Sequence, residues 1–279
     1  METRIEILSP EKIDDELLNQ IRVWADEVLK KVELKSQPPY LCITVWKTME
    51  KFRTFSMREK EMLGVVTGEE TDFLATHDAW RGYPRIHVCQ ERLKGIPSAI
   101  LQGVIHHEIG HALKHGSLEF YTFRFSGILQ EVGRASGLDL PLLQQCVYLF
   151  SIAIKDQEVV KWLSQIGLSF NQIALLNHLI SDTEEEKTTW EFIQDSPALR
   201  KIAFSTFLKT LLPIEAMIAI GIEDAKTLKD QWNEAYGWLF EKEREGLSLF
   251  SQFIMNLEGK TFQERLEQAV LRLITDPYL

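Results

Sequence analysis

Apolar residues recur at helical spacing through most of the chain, and strand-like runs are confined to a region near the N-terminus. After Ser9-Pro10-Glu11, apolar residues repeat at the spacing of one helix face, which predicts an amphipathic helix that ends near Val32. Four segments carry the β-branched or aromatic residues and the flanking turn residues that are typical of strands: Tyr40–Trp46, Leu63–Thr67, Thr71–Ala75 and Pro84–Cys89. A small sheet is therefore expected in this part of the chain.

Beyond this region the apolar pattern is helical almost throughout. Ser98 begins such a pattern and Gly116 follows it, so a helix is predicted from Ser98 to His115. Further helices are predicted at Leu142–Leu163, from Ser196-Pro197 to Gly221, over Thr227–Leu257 and after the capping box Thr261–Glu264. The sequence therefore predicts an α+β fold with a small N-terminal sheet and a largely α-helical C-terminal part, which we divide into domains at residues 1–165 and 166–279.

Composition and charge narrow the class of protein. With 279 residues, of which 45% are hydrophobic, the chain can bury a large core. Its formal net charge of −10 disfavours a nucleic-acid-binding surface, which needs clustered Lys and Arg to replace the counterions of phosphates. The charged N-terminus lacks the apolar central region of a signal peptide. The three cysteines, Cys42, Cys89 and Cys146, are odd in number and far apart, and each lies in an apolar run, which is typical of buried thiols and not of a disulfide framework. We expect a cytoplasmic protein that binds no nucleic acid.

One apolar stretch, Ile202–Ile222, has about the length that crosses a bilayer. Lys209 and Glu215 place two charges near its centre, and Pro213 interrupts it. Because charged side chains are costly in hydrocarbon, we interpret the stretch as a buried or partly interfacial helix and do not expect membrane association.

The predicted helix that begins at Ser98 carries the motif H-E-x-x-H at His107, Glu108 and His111. Residues four apart lie on one face of an α-helix, so both imidazoles can reach a single ion. A zinc ion held by two histidines needs further protein ligands and an open position for water, whose pKa the metal lowers towards about 7. Glu108 then lies where it can accept the proton of that water. Burial of these three groups without a metal would be costly, so the motif predicts a Zn²⁺ site.

The motif and its surroundings resemble the zincin metallopeptidases, and more closely the gluzincin-like group, whose third zinc ligand is an acid on a later helix. The resemblance extends over residues 38–165. It implies a zincin-like core, a peptide or protein substrate, and hydrolysis of peptide bonds with a metal-activated water and Glu108 as general base. It also implies that an edge strand before the motif helix pairs with the extended substrate, and Ile86–Cys89 is the candidate strand. A His, Tyr or Arg that the sequence does not identify would stabilise the oxyanion.

Three acids compete for the place of the third zinc ligand. Gluzincin-like peptidases carry an E-x-E-A-D helix whose first acid binds zinc, and the run D-Q-E-V-V that begins at Asp156 resembles a diverged copy. In this alignment Asp156 is the ligand and Val160 replaces a supporting aspartate, whereas rotation of the helix by about 200° would bring Glu158 to the metal. Glu131 lies 24 positions after His107, which is the thermolysin-like spacing. We prefer Asp156 to Glu158, and both to Glu131, which has glycines close by.

Four other histidines have weaker claims to a role in the site. His106 points about 100° away from His107 around the helix axis and is expected to pack or to support a ligand. His115 lies one further turn along the motif face and is expected to support a ligand or to stabilise the helix end. His77 and His87 are interpreted as a surface-loop histidine and a solvent-facing strand histidine, with substrate contact or transition-state stabilisation as the alternative.

Two alternative functions stay open. The same water chemistry serves a zinc amidase or deformylase that acts on non-peptide amides. A zincin-like scaffold that works through its helical half as a non-catalytic binding or regulatory module is the second alternative, because Val160 replaces the supporting acid. Zinc-dependent turnover of a peptide library would separate these functions. The sequence predicts neither the oligomeric state nor the cleavage specificity.

Overall fold

A computed structural model describes residues 3–33, 37–65, 73–181, 183–257 and 261–276. Within these residues the chain forms four strands and eleven α-helices, and most of it is helical. The predicted α+β class is therefore confirmed. All three cysteines are free thiols buried in the core, as the sequence indicated.

The chain divides into two compact units. Unit 1 consists of Met1–Thr122 and Ile166–Leu175, and unit 2 consists of Phe123–Gln165 and Leu176–Leu279. Unit 1 contains the sheet and the motif helix, whereas unit 2 is helical in its described part. The predicted domain boundary at residue 165 stays a prediction.

Unit 1 is built on a mixed four-stranded sheet. Its strands are β1 (Arg4–Leu8), β2 (Tyr40–Trp46), β3 (Ala75–Asp78) and β4 (Arg85–Cys89), and they lie in the order β1-β2-β4-β3. The first two strands and β4 are parallel, whereas β3 runs antiparallel to β4 with His77 opposite Ile86. All five residues of β4 are buried, as expected for a strand with neighbours on both sides. The predicted strands Tyr40–Trp46 and Pro84–Cys89 are therefore confirmed.

The edge strand beside the motif helix differs from the predicted one. Ile86–Cys89 was predicted as the edge strand, and this prediction is wrong because β4 lies between β2 and β3. Among the described strands the edge belongs to β3, which is short and only partly buried at Thr76 and His77. The alternation of apolar residues with Arg85 and His87 does not reflect an exposed face, because both polar side chains are buried and hydrogen-bonded to Asp78.

A helix replaces one of the predicted strands. The prediction of a strand at Leu63–Thr67 is wrong for its described residues 63–65, because α2 (Met49–Leu63) continues to Leu63 and ends at Gly64, and residues 66 and 67 lie outside the described part of the chain. Gly64 has a φ of 64°, the left-handed conformation that commonly terminates helices and that glycine adopts without steric cost. The predicted strand at Thr71–Ala75 lies outside the described residues up to position 72, and β3 begins at its last residue.

Helices α1 (Asp15–Leu29) and α3 (Ser98–Lys114) pack on each other in unit 1. The first helix begins later than predicted, because Asp14 caps it by accepting a hydrogen bond from the Glu16 backbone at 3.0 Å. The motif helix α3 matches its predicted bounds and ends where the His115 backbone N–H donates to the His111 carbonyl at 2.7 Å.

The helices of unit 2 follow the apolar pattern with one exception. They are α4 (Gly127–Ala135), α5 (Leu140–Gln165), the second half of α6 (Ser169–Ile180), α7 (Glu184–Ile193), α8 (Pro197–Ala219), α9 (Asp224–Ala235), α10 (Glu241–Met255) and α11 (Phe262–Thr275). The predicted helices within α5 and α8, and the capping box of α11, are confirmed. The single pattern predicted over Thr227–Leu257 is instead two helices, because the chain breaks between α9 and α10.

The core of unit 2 is apolar and aromatic. The central pair of helices is α5 and α8, and aromatic side chains from α7, α8 and α9 and the turn after α9 pack beside them. This aromatic cluster consists of Trp190, Phe204, Phe207, Trp232, Tyr236 and Trp238. Such rings bury large apolar areas, so the cluster is expected to supply much of the unit's stability.

Helix α8 is also long and apolar enough to cross a membrane. About two thirds of its most apolar window is buried in the fold, which is the behaviour of a core helix in a water-soluble protein. Helices α4 and α5 are long and apolar enough to cross a membrane only when they are taken together as one segment. The chain bends by 112° between them. These observations are weak evidence for a membrane span.

Candidate metal centre

Two imidazole nitrogens on α3 face each other in unit 1. His107 and His111 lie one turn apart, and their Nε2 atoms are 2.9 Å from each other. Two nitrogens bound to one tetrahedral zinc ion at about 2.0–2.1 Å are separated by about 3.3 Å. The pair therefore needs only a small outward movement to fit zinc ligation, and both histidines present the same ring nitrogen.

The outer nitrogen of His107 is held by a glutamine. Gln172 Oε1 lies 3.2 Å from His107 Nδ1, while Gln172 Nε2 donates to the Gly103 carbonyl at 3.0 Å. That second bond orients the amide, because a carbonyl oxygen only accepts, and the amide oxygen then faces His107. His107 therefore carries its proton on Nδ1, which leaves the Nε2 lone pair for a cation.

Close packing of α6 on α3 puts this glutamine in place. A Cβ atom added to Gly103 would lie 2.4 Å from the backbone oxygen of Asn171, so only glycine allows α6 to approach this closely. Gln172 itself is fully buried. No pattern in the sequence connects position 172 with the motif, and the sequence reasoning missed this residue.

His111 is supported by the next turn of the same helix. His115 Nδ1 lies 3.3 Å from His111 Nδ1, and its ring packs edge-on against Phe120 with 4.8 Å between centroids. One of the two Nδ1 atoms must donate, and a proton on His111 Nδ1 would make its Nε2 an acceptor, as in His107. His115 is fully buried and acts as a supporting group one turn away.

The carboxylate of the motif meets a histidine from the edge strand. His77 Nδ1 lies 2.6 Å from Glu108 Oε2, and both side chains are largely buried, with 15% and 11% exposed. The His77 ring stacks on the His111 ring at 3.9 Å with an interplanar angle of 10°. His77 was interpreted as a surface-loop histidine, and this is wrong because it lies on β3 and faces α3.

Tyr121 is a further polar group on this side of unit 1. Its ring lies edge-on to His77, with 6.1 Å between centroids. Burial raises the pKa of Tyr121 well above its usual value, and the nearby carboxylates of Asp78 and Glu108 raise it further. The hydroxyl therefore keeps its proton at neutral pH and can act as a hydrogen-bond donor.

A buried ion-pair network adjoins His77 on the same strand. Asp78 accepts hydrogen bonds from Arg85 Nε at 2.8 Å and from His87 Nε2 at 3.0 Å, and Arg85 also donates to Glu59 at 2.9 Å. Burial alone would raise the pKa of Asp78, but the bonds from His87 and Arg85 outweigh it and lower the pKa. The bonds from Arg85 and Arg81 likewise outweigh burial and lower the pKa of Glu59. The network fixes the end of β3 beside His77.

The expectation for His87 was also wrong. This histidine is 3% exposed and does not face solvent. Trp46 Nε1 donates to His87 Nδ1 at 3.2 Å, so the ring carries its proton on Nε2 and donates to Asp78. His106 packs as predicted, fully buried and with Nε2 3.1 Å from Glu27 Oε2.

The three acids predicted as third-ligand candidates all belong to unit 2. Asp156 is half-buried on α5. Glu158, two positions later and about 200° around the helix, forms an ion pair with Arg265 of α11. Glu131 is exposed on α4. Which acid joins the two histidines stays a prediction.

No protein-family model, curated protein or solved structure matches this chain. The resemblance to zincin metallopeptidases therefore rests on the residues of the motif. The function inferred from them is a proposal about this chain's own chemistry.

Proposed function

We propose that this protein is a zinc-dependent metallopeptidase with a zincin-like core. One observation supports it most: His107 Nε2 and His111 Nε2 lie 2.9 Å apart, with the Glu108 carboxylate on the same helix. Two neutral imidazoles that face each other with the same nitrogen need a shared proton or a cation between them. The tautomer set at His107 by Gln172 favours a cation, because it leaves an acceptor at Nε2.

The residues that would hold zinc are His107, His111 and one acid. Asp156 is the preferred acid, because Glu158 is already paired with Arg265 and Glu131 is exposed. A cation beside a half-buried carboxylate offsets the cost of its burial. Bound zinc would supply Lewis acidity, lowering the pKa of a water towards about 7 and polarising the scissile carbonyl.

Two side chains of the protein would transfer the proton of the attacking water and stabilise the negative charge that develops on the substrate oxygen. Glu108 accepts the proton of the attacking water and then delivers it to the leaving amine, since a carboxylate can act first as base and then as acid. Tyr121 is the proposed donor to the oxyanion, because its ring meets His77 edge-on beside Glu108 and its hydroxyl is protonated at neutral pH. A donor already in place stabilises developing charge without rearrangement.

A peptide is the proposed substrate because an edge strand lies beside the motif. Strand β3 contacts α3, and its His77 reaches Glu108. An extended peptide can add to an open strand edge through backbone hydrogen bonds, which favours peptides and unfolded protein segments as substrates. We further propose that the protein acts in the cytoplasm on soluble substrates and does not bind nucleic acid, in keeping with its net charge of −10.

The proposal is tested by zinc-loaded wild-type protein acting on a mixed peptide library, with cleavage followed by mass spectrometry. Cleavage should stop when a chelator removes the metal. Glu108→Gln is the matched control, because it keeps the shape of the side chain and removes the base; it should retain zinc and lose on the order of 10²-fold or more in rate. Equal turnover by Glu108→Gln would remove Glu108 from the mechanism. Full zinc content with no cleavage would favour a non-catalytic binding protein.

A further inference from the structure

We propose that His77 is a positioning residue that holds the Glu108 carboxylate in the orientation needed for proton transfer. The inference rests on the proposed hydrolytic function and adds to it a residue from outside the motif. It starts from the hydrogen bond of 2.6 Å between His77 Nδ1 and Glu108 Oε2. The two residues lie 31 positions apart in the chain, so the fold and not local sequence creates this contact.

The contact fixes a side chain that is otherwise free to rotate. A glutamate has several rotatable bonds, and one turn of helix gives it no fixed direction. When His77 holds Oε2, the plane of the carboxylate is set, and the position of Oε1 follows from it. The base is then aligned before substrate binds, and misplacement of a catalytic group by about 1 Å can cost on the order of 10²-fold in rate.

The imidazole is itself held on several sides. Its ring stacks on His111 at 3.9 Å and meets Tyr121 edge-on. The strand that carries it is paired to β4 with His77 opposite Ile86. The next residue, Asp78, is bound by Arg85 and His87 in the buried network. A donor supported in this way is rigid, which is what orientation of a base requires.

This arrangement gives the buried network a purpose beyond stability. Charged groups that are buried and paired often contribute little net stability compared with apolar side chains. Here the network anchors the edge strand at Asp78, one residue from His77, and through His77 it determines where Glu108 points. Strand β3 therefore has two proposed roles: it positions the base through His77, and its backbone edge pairs with the substrate.

Three substitutions of His77 separate its hydrogen bond from its bulk. Asparagine places an amide nitrogen close to the position of Nδ1, glutamine places it close to Nε2, and alanine removes both. His77→Ala should lower kcat by about 10–100-fold, the range found for groups that orient others, while KM and zinc content change little. His77→Asn should restore most of kcat and His77→Gln should not. His178→Asn, a half-buried histidine of unit 2, is the control and should leave all three quantities unchanged.

The same substitution in a Glu108→Gln background shows whether His77 acts through Glu108. If it does, His77→Ala should lower the residual rate of Glu108→Gln by less than about twofold, because coupled residues are not additive. A further 10–100-fold loss in that background would overturn the inference. So would loss of zinc from His77→Ala, which would make His77 a ligand, or full kcat in that variant. An inactive wild-type protein would instead refute the proposed function itself.

Discussion

Unit 1 buries charged and imidazole side chains around its sheet and motif helix, whereas unit 2 buries mainly aromatic and aliphatic ones. The buried charged and imidazole side chains of unit 1 are Glu59, Asp78, Arg85, His87, His106, Glu108, His111 and His115. The largest fully buried side chains of unit 2 are Phe150, Phe204, Phe207, Trp232 and Tyr236. Both units contain large cores, and in unit 1 Glu59, Arg85, Asp78 and His87 form a connected set of buried, hydrogen-bonded groups.

The difference indicates that the buried polar side chains of unit 1 position functional groups, whereas the buried apolar side chains of unit 2 stabilise the fold. A buried polar group destabilises the fold unless it is hydrogen-bonded, so a connected set of them is retained for what it positions. Apolar and aromatic packing stabilises directly, in proportion to the area removed from water. The stability of unit 1 should therefore fall when a single buried charge is removed, whereas the stability of unit 2 should fall when a core side chain is replaced by a smaller one. Four changes test this contrast.

The largest effect is expected at the motif histidines. His107→Ala or His111→Ala should reduce zinc from about one ion per chain to a trace, because a three-ligand site that loses one histidine holds zinc weakly. Elemental analysis of the purified protein measures it. His106→Asn is the control on the same helix, since that side chain faces Glu27 and should leave the zinc content unchanged. Full zinc content after both motif substitutions would rule out this site.

Removal of the cation shared by two buried carboxylates should be the next largest effect. Arg85→Met leaves Glu59 and Asp78 without it and should lower the free energy of unfolding by about 3–5 kcal/mol. Lys226→Met in unit 2 breaks an exposed ion pair with Glu223 and should change the free energy of unfolding by less than about 1 kcal/mol. Denaturant unfolding of the two variants gives the comparison. Equal losses would contradict the contrast between the units.

A third change concerns the one acid in unit 2 that we assign to the metal. Asp156→Ala should weaken zinc binding by at least about 10²-fold, the upper range of changes around a metal site. In the presence of zinc that loss removes about 2.7 kcal/mol of stability, while the apo protein loses little. Glu158→Ala should leave the affinity unchanged because Glu158 pairs with Arg265 and is not assigned to the metal. A large loss in Glu131→Ala alone would move the site to the thermolysin-like spacing.

The smallest effect is a pH dependence confined to unit 1. The pKa values of Glu59 and Asp78 are lowered in the folded state by their bonds to Arg85 and His87. Their contribution to stability is complete above the unfolded pKa values, near 4, and is lost as the pH falls through the folded ones. The protection of amides in β3 and β4 against exchange should fall by up to about tenfold for each unit of pKa difference, more than in α5 and α8. Asp78→Asn should reduce this acid sensitivity, and an unchanged profile would exclude the network as its cause.

Sequence patterns were sufficient where one helix or one buried strand carried the signal. The apolar face and flanking residues of α3 predicted its bounds, and the spacing of His107 and His111 predicted that they share a face. The strand at Tyr40–Trp46 was predicted because the segment is rich in β-branched and aromatic residues. Each of these features depends on residues close together in the chain.

Features that depend on distant contacts were missed or misassigned. The strand β1 was not predicted, because the charged N-terminal segment was considered only as evidence against a signal peptide and β1 pairs with β2 more than 30 positions away. His77 resembled a loop residue because its partner Glu108 is far along the chain, and Gln172 joins His107 through the packing of α6 on Gly103. Such partners are set by tertiary packing, which local pattern does not record.

The most direct test of the account is an anomalous-scattering map collected at the zinc edge from crystals of the zinc-loaded protein. We predict one strong peak per chain within bonding distance, about 2.0–2.1 Å, of both His107 Nε2 and His111 Nε2, with Asp156 as the next protein ligand. A peak bonded to neither histidine, or no peak in protein that contains zinc by elemental analysis, would contradict the account.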